Sequence, residues 1–243
     1  MDTDTKFAIH AACREGKLST VQSLLNVDPK LSTRKDDDGR LPIHWAASAN
    51  QLDIVQLLAE QKGFDVDTKD DMGWTPLMIA ASVKDSEKLV VFLLSKGADP
   101  NEKSKPLFPR NAPFPGTVLH FVASKNYLDI ARLLVSHQPP ASARVRDKRG
   151  QYALHRAAAI GSVPMINLLV AQKSPLNATD ADGQTALHHA VAEGHGDAAV
   201  ALLKAGAELA KEDAEGKTPL DLAPDKEVRK YIERMAESEG IEL

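Results

Sequence analysis

The 243-residue chain has 43% hydrophobic and 26% charged residues, the balance of a soluble globular protein with room for one large domain or two small ones. Its formal net charge of −4 is too small to imply a nucleic-acid binder, and no apolar run reaches the roughly 18 residues that cross a membrane. Cys13 is the single cysteine, so no internal disulfide is possible, and the start MDTDTKFAIH lacks the basic and apolar regions of a signal peptide, which gives a cytoplasmic and nuclear location as the expectation.

Aromatics make up only 5% of the chain, while alanine and leucine dominate, which leans towards helix. One motif recurs in chain order: FAIHAA at 7, LPIHWAA at 41, TPLMIAA at 75, TVLHFVA at 117, YALHRAA at 152, TALHHAV at 185 and TPLDLA at 218. Its third residue is Ile9, Ile43, Leu77, Leu119, Leu154, Leu187 and Leu220, at successive spacings of 34, 34, 42, 35, 33 and 33. A second apolar pattern follows in each unit: VQSLL, IVQLL, VVFLL, IARLL, MINLL and AVALL. Two stacked helices per unit explain both patterns, because one helix pair cannot bury its apolar face alone.

Thr75 and Thr218 stand at N-cap positions, and Pro76 and Pro219 at the first helical position, where a missing N–H costs nothing. Gly97 and Gly206 suit the left-handed residue after a second helix. DDDGR, DDMGW and DADGQ are tight-turn sequences. The first and seventh units read as caps, the last ending in the charged helix DKEVRKYIERMAESEG.

Between the third and fourth units the spacing rises to 42, at PLFPRNAPFPG, residues 106–116. Its four prolines exclude both helix and central strand. The repeat continues in phase on both sides, which favours an insertion of about eight residues over a domain boundary. The fragment PLFPR also fits a PxxP ligand pattern. A structural or partner-flanking loop is the preferred reading.

A period near 33 with T-P-L-H-x-A resembles the ankyrin-repeat family from end to end. The resemblance implies an all-α repeat fold: an ankyrin-repeat solenoid of seven units with β-hairpin tips, forming a single domain over residues 1–243, with a proline-rich hairpin insertion near residues 103–116. It also assigns a structural role to His10, His44, His120, His155 and His188, which share one slot and in such units hydrogen-bond a turn of their own or a neighbouring repeat. HHAVAEGHGD brings His188, His189, His195 and Asp197 close in sequence, yet without the i, i+4 spacing of a helical metal pair. No metal and no cofactor are expected. Cys13 reads as a small core residue. No G-x-S-x-G, P-loop or G-x-G-x-x-G sequence is present, so no enzymatic activity is expected. The basic stretch RVRDKRG, residues 144–150, falls at a tip without neighbouring aromatics and reads as solvated rather than as a nucleic-acid contact.

In ankyrin units the concave side, built from tips and first helices, carries the binding surface. Charge alternates along this chain. Residues 28–74 hold 6 basic and 10 acidic side chains, residues 103–160 hold 10 and 2, and residues 161–243 hold 8 and 15. Such zones suit a partner of complementary pattern.

GRLPIHWAAS, KDDMGWTPLMIAAS, ASKNYLDIARLL, ALHRAAAIGSVPMINLL and AEGHGDAAVALL together resemble gankyrin and its fungal counterparts, with AEGHGDAAV leaning to the fungal members. These are seven-repeat assembly chaperones of the 26S proteasome regulatory particle. The resemblance implies a non-enzymatic chaperone, monomeric alone, that holds the C-terminal helical domain of a proteasomal ATPase subunit on its concave face. Matching positions are Asp36, Asp38 and Arg40 in DDDGR, Asp70, Asp71 and Trp74 in KDDMGW, and Lys125 in ASKN. Arg156 and Glu193 complete the partner-binding set, and Trp45 either joins it or packs between units one and two. Where animal gankyrin carries an L-x-C-x-E retinoblastoma-binding motif, this chain reads HAVAE, so that activity does not carry over. The alternative function is an ankyrin-repeat inhibitor or scaffold for a kinase or transcription factor, using the same face.

Overall fold

The computed structural model describes residues 7–104 and 116–241. Two compact units divide the chain, Met1–Val118 with His137–Pro139, and Leu119–Ser136 with Pro140–Leu243. The first holds three helix pairs: α1 (Ala8–Arg14) with α2 (Leu18–Val27), α3 (Pro42–Ser48) with α4 (Leu52–Ala59), and α5 (Pro76–Ala81) with α6 (Glu87–Ser95). A 3-10 turn, Pro29–Thr33, follows α2. The second is built from α7 (Val118–Lys125) and α8 (Leu128–Ser136), α9 (Ala153–Ala159) and α10 (Val163–Ala171), and α11 (Ala186–Ala192) and α12 (Gly196–Lys204). A 3-10 turn, Pro219–Leu222, and α13 (Lys226–Ser238) end the array.

The repeat register read from the sequence is the register of the core. Ile9, Ile43, Leu77, Leu119, Leu154, Leu187 and Leu220 are all buried. First helices stack on first helices, α3 between α1 and α5, and α9 against α11. Second helices form another layer, α2 against α4 and α10 between α8 and α12. The alanine pairs Ala46–Ala47, Ala80–Ala81 and Ala157–Ala158 are fully enclosed, so small side chains set how closely the first helices approach.

Local chemistry starts and stops these helices. Thr75 Oγ1 accepts from the Met78 N–H at 3.3 Å, satisfying one orphan donor of α5. Thr218 behaves differently. Its hydroxyl and N–H both donate to the Asp221 carboxylate, at 2.7 and 3.0 Å. Asp221 stands where five of the other units have histidine and the third has Met78, and the segment is a 3-10 turn rather than an α-helix. After α6, Gly97 takes φ +91°, with Ala98 N donating to Leu93 O and Gly97 N to Leu94 O at 3.1 and 2.9 Å. That is a Schellman closure, which needs the left-handed residue that glycine supplies.

The β-hairpin tips expected from the resemblance are absent, because the described residues contain no strand. Each Asp-x-x-Gly tip among the described residues is a closed turn. In the first, Asp36 N donates to Arg40 O at 2.9 Å and Gly39 N to Asp36 O at 3.1 Å. The Arg40 N–H donates to Asp36 Oδ1 at 2.8 Å. A side-chain oxygen thus takes an N–H that a strand ladder would give to a carbonyl. The described residues therefore form an all-α array of helix pairs, and within each compact unit successive pairs are linked by turns.

The proline-rich segment, residues 105–115, lies outside the described residues. Its flanks meet: Ser104 N donates to Gly116 O at 3.2 Å, and Gly116 N to Ser104 Oγ at 3.3 Å. A deletion of residues 107–114 should leave the helical circular dichroism signal and cooperative unfolding intact, since loop length changes closure entropy only slowly; a non-cooperative transition would place the segment in the core. Leu154 is fully buried. Leu154→Ala should therefore lower unfolding free energy by about 2–5 kcal/mol in urea titrations.

Candidate protein-binding site

The turns repeat one pattern, Asp-x-x-Gly-x, at residues 36–40, 70–74, 147–151, 180–184 and 213–217. In each, the aspartate Oδ1 accepts from the N–H four residues on: Arg40, Trp74, Gln151, Gln184 and Lys217, at 2.8–3.0 Å. That leaves Oδ2 for another partner. Asp36 Oδ2 accepts from Trp45 Nε1 at 2.7 Å, and Asp70 Oδ2 from Arg40 Nε of the preceding turn at 3.1 Å. In the second unit, Asp147 Oδ2 takes Arg156 Nη2 at 2.8 Å. Asp180 Oδ2 takes Gln151 Nε2 at 2.8 Å and His189 Nε2 at 2.9 Å. Burial would raise the Asp36 and Asp180 pKa values. The Trp45 indole and two backbone N–H groups outweigh it at Asp36, and Gln151, His189 and the Gln184 N–H at Asp180, holding both carboxyls below the usual range.

Successive turns also join directly. Asp71 N donates to Asp38 O at 3.1 Å, Ala181 N to Arg149 O at 2.9 Å and Ala214 N to Asp182 O at 3.1 Å. The approach is close enough that a Cβ on Gly39 would lie 2.1 Å from Asp71 Oδ1. Gly39 also takes φ +69°, so only glycine fits on both counts.

The ten partner-binding positions divide by this network. Asp36, Arg40, Trp45 and Asp70 form one cluster, with the Arg40 and Arg14 guanidinium groups over the Trp45 ring at 5.3 and 5.6 Å. Asp70 is buried, and Asp36, Arg40 and Trp45 are half-buried. Asp38 and Asp71 are exposed on adjacent turns, and Trp74, which closes the second turn, is half-exposed. In the second unit Arg156 is held by Asp147, while Lys125 and Glu193 are exposed. The sequence reading passed over Asp147, Gln151, Asp180 and His189 as internal ties. The signal for the two aspartates is the Asp-x-x-Gly spacing shared by the five described turns, with Gln151 following the glycine; nothing in that spacing marks His189.

The slot histidines act as the family resemblance implies. His44 Nδ1 accepts from the Leu41 N–H at 3.0 Å, and His188 Nδ1 from the Thr185 N–H at 3.1 Å. A ring nitrogen that accepts carries no proton, so Nε2 carries it. His44 Nε2 donates to Thr68 O at 3.2 Å and His188 Nε2 to Lys217 O at 3.1 Å, each on the next turn. His120 Nε2 reaches Gln151 O at 3.0 Å. His155 Nδ1 accepts from Tyr152 N at 3.2 Å. Burial, followed by the neighbouring His189 ring, pushes His155 from the ordinary 6.5 down to about 4. Burial likewise lowers His10, His44 and His188.

His188, His189 and Asp197 are turned to Lys217, Asp180 and Tyr231 respectively. Among the described residues no group of three His, Cys, Asp or Glu side chains could hold a metal ion. Cys13 is buried, and burial pushes its thiol up to about 12, far from the thiolate a nucleophile needs. No helix among the described residues is long and apolar enough to cross a membrane.

Short helix pairs joined by carboxylate-closed turns define a repeat array of the protein-interaction class, a class without catalytic activity. The chain belongs to the ankyrin-repeat family: a three-copy ankyrin-repeat model matches residues 4–104 and 161–242, and a many-copy one residues 119–170. Over 65 residues it is 38% identical to the probable 26S proteasome regulatory subunit p28 of Saccharomyces cerevisiae. That stretch is 26% of this chain and 28% of the yeast protein. Among solved structures, the human ASB11 ankyrin-repeat domain matches with TM-score 0.78 at 21% identity, covering 93% of this chain and 96% of that one. The Bcl-3 ankyrin-repeat domain, of the IkappaB family, matches with TM-score 0.73 at 24% identity, covering 93% and 97%. An ankyrin-repeat domain from Acinetobacter baumannii matches with TM-score 0.70 at 27% identity, covering 83% and 98%.

The lowered histidine pKa values set the acid sensitivity of the fold. The unfolded chain takes up protons near 6.5, before the buried rings do, so it binds more protons as pH falls and native stability drops. Unfolding free energy from urea titration should be highest above pH 6.5 and decline steadily towards pH 4. A flat profile from pH 7 to 4.5 would mean that these rings are not held neutral.

Proposed function

We propose that the chain is a non-enzymatic assembly chaperone of the proteasome regulatory particle, binding the C-terminal helical domain of one ATPase subunit through its turns and first helices. The observation that carries this reading is the 38% identity over 65 residues to the yeast regulatory subunit p28. Two further features support it. Asp38 and Asp71 are exposed acids on adjacent turns, and the half-exposed Trp74 closes the second of these turns, a composition suited to basic residues around an aromatic anchor. Lys125 is an exposed cation in the second unit, suited to an acidic partner position. Asp36, Asp70 and Arg156 serve mainly by holding the turns in place. The chaperone is proposed to act as a monomer in the cytoplasm and nucleus.

The test is binding to recombinant ATPase C-terminal domains, alongside a pull-down from cell extract. Asp38→Lys and Lys125→Glu should each weaken binding modestly, since an exposed pair contributes about 0.2–1 kcal/mol. Reversing a basic partner residue should restore the first, and reversing an acidic one the second. Trp74→Ala should cost about 2 kcal/mol or more if the ring is an anchor. Unchanged affinity in all three variants, each folded by circular dichroism, would refute this surface. Recovery of kinases or transcription factors in place of proteasomal ATPases would favour the inhibitor or scaffold function.

A further inference from the structure

We propose that the loop at residues 144–150 in the second unit is a docking site for an acidic segment of a protein partner. The loop carries Arg144, Arg146, Lys148 and Arg149, all exposed. Its one acid, Asp147, is buried and already engaged. Asp147 Oδ1 accepts from the N–H groups of Arg149 and Gln151 at 2.8 and 2.9 Å, and Oδ2 from Arg156 at 2.8 Å. The carboxylate that shapes the loop therefore turns inward, and only cations face solvent.

Two of those cations are braced by neutral acceptors. Arg146 Nε donates to the Tyr152 hydroxyl at 2.8 Å, and its guanidinium lies 5.2 Å from the centre of that ring. Arg144 Nη1 donates to the Lys173 carbonyl at 3.1 Å, which draws it to the segment bearing a fifth exposed cation, Lys173. A guanidinium held by a phenol or a carbonyl keeps its full charge, and its side chain is already partly ordered before a partner arrives. Lys148 and Arg149 form no ion pair among the described residues. The exposed acid on the adjoining turn is Asp182, reached through the Ala181 N–H to Arg149 O bond. Asp129 is paired with Arg132 at 3.1 Å. The loop is thus a concentrated positive charge on a rigid turn.

An acidic polypeptide fits better than a nucleic acid. Tyr152 is buried and its hydroxyl is taken, so it offers no face for base stacking. The adjoining turn presents Asp182, which would repel a continuous phosphate backbone leaving the loop in that direction but leave room for a short acidic run. This inference rests on the chain being a protein-binding module, and not on its partner being a proteasomal ATPase.

The experiment titrates the full chain into a fluorescein-labelled ten-residue oligo-glutamate peptide, read by anisotropy at low and moderate salt. Saturable binding is expected, weakening as salt rises. Lys148→Glu/Arg149→Glu should weaken it by about tenfold or more, and Lys148→Gln/Arg149→Gln by less. Lys62→Glu/Lys211→Glu, an equal charge change at exposed sites elsewhere, should leave it within about twofold. Absence of binding, equal losses in the loop and control variants, or preferential binding of duplex DNA of matched charge would each overturn the proposal. Because the probe is not an ATPase domain, failure of that domain to bind would leave this result standing.

Discussion

The structure depends on one carboxylate per turn. The aspartate that opens each Asp-x-x-Gly turn accepts a backbone N–H four residues on, and its second oxygen is left to tie that turn to something else. A hydrogen bond to a charged acceptor contributes about 1.5–3 kcal/mol, and leaving a buried N–H unmet costs a comparable amount. These aspartates therefore set where the first helices start relative to one another. Within each compact unit, the residue after the glycine often reaches forward to the next aspartate, as Arg40 does to Asp70 and Gln151 to Asp180. Successive turns are joined by one backbone bond each, such as Asp71 N to Asp38 O, and otherwise by side-chain oxygens, and no strand forms among the described residues.

The slot histidines run in parallel with this series of turns. Each is an acceptor at the start of its own helix or a donor to the next turn, and His44 and His188 are both at once. A protonated imidazole has no lone pair for the N–H at Nδ1, so the arrangement requires the neutral ring. Stability and local pH are thereby coupled without any catalytic role for histidine. The seventh unit replaces the histidine by Asp221, which accepts from Thr218 and not from a following turn. No further Asp-x-x-Gly turn follows Asp221 among the described residues, and the charged helix α13 packs against α12.

This framework separates structural from available charge. Asp70, Asp147 and Asp180 are buried and engaged, whereas Asp38, Asp71, Lys125, Lys148 and Arg149 project from the same framework into solvent. Charged residues at neighbouring positions of one turn therefore have opposite uses. The first position of the turn builds the scaffold, whereas charged residues at the second and third positions, such as Asp38, Asp71, Lys148 and Arg149, are exposed.

The sequence by itself determined the repeat, its register and the helix pair in each of the first six units. Ile9, Leu77 and Leu154 recur at a period that only a stacked helical core explains, and all are buried. It also put five histidines in one slot of the repeat, and the family resemblance supplied the hydrogen-bonding role that His44 and His188 take. It did not determine the character of the tips. DDDGR and DADGQ specify a tight turn, but whether the flanking N–H groups pair with a second chain segment or with the aspartate depends on how near the next turn lies. Nor did it separate Asp36 and Asp70 from Asp38 and Asp71, since all four are acids in one short motif. That distinction belongs to tertiary structure: Asp70 meets Arg40 only because two turns 30 residues apart are stacked, and this proximity arises from packing of the helices behind them.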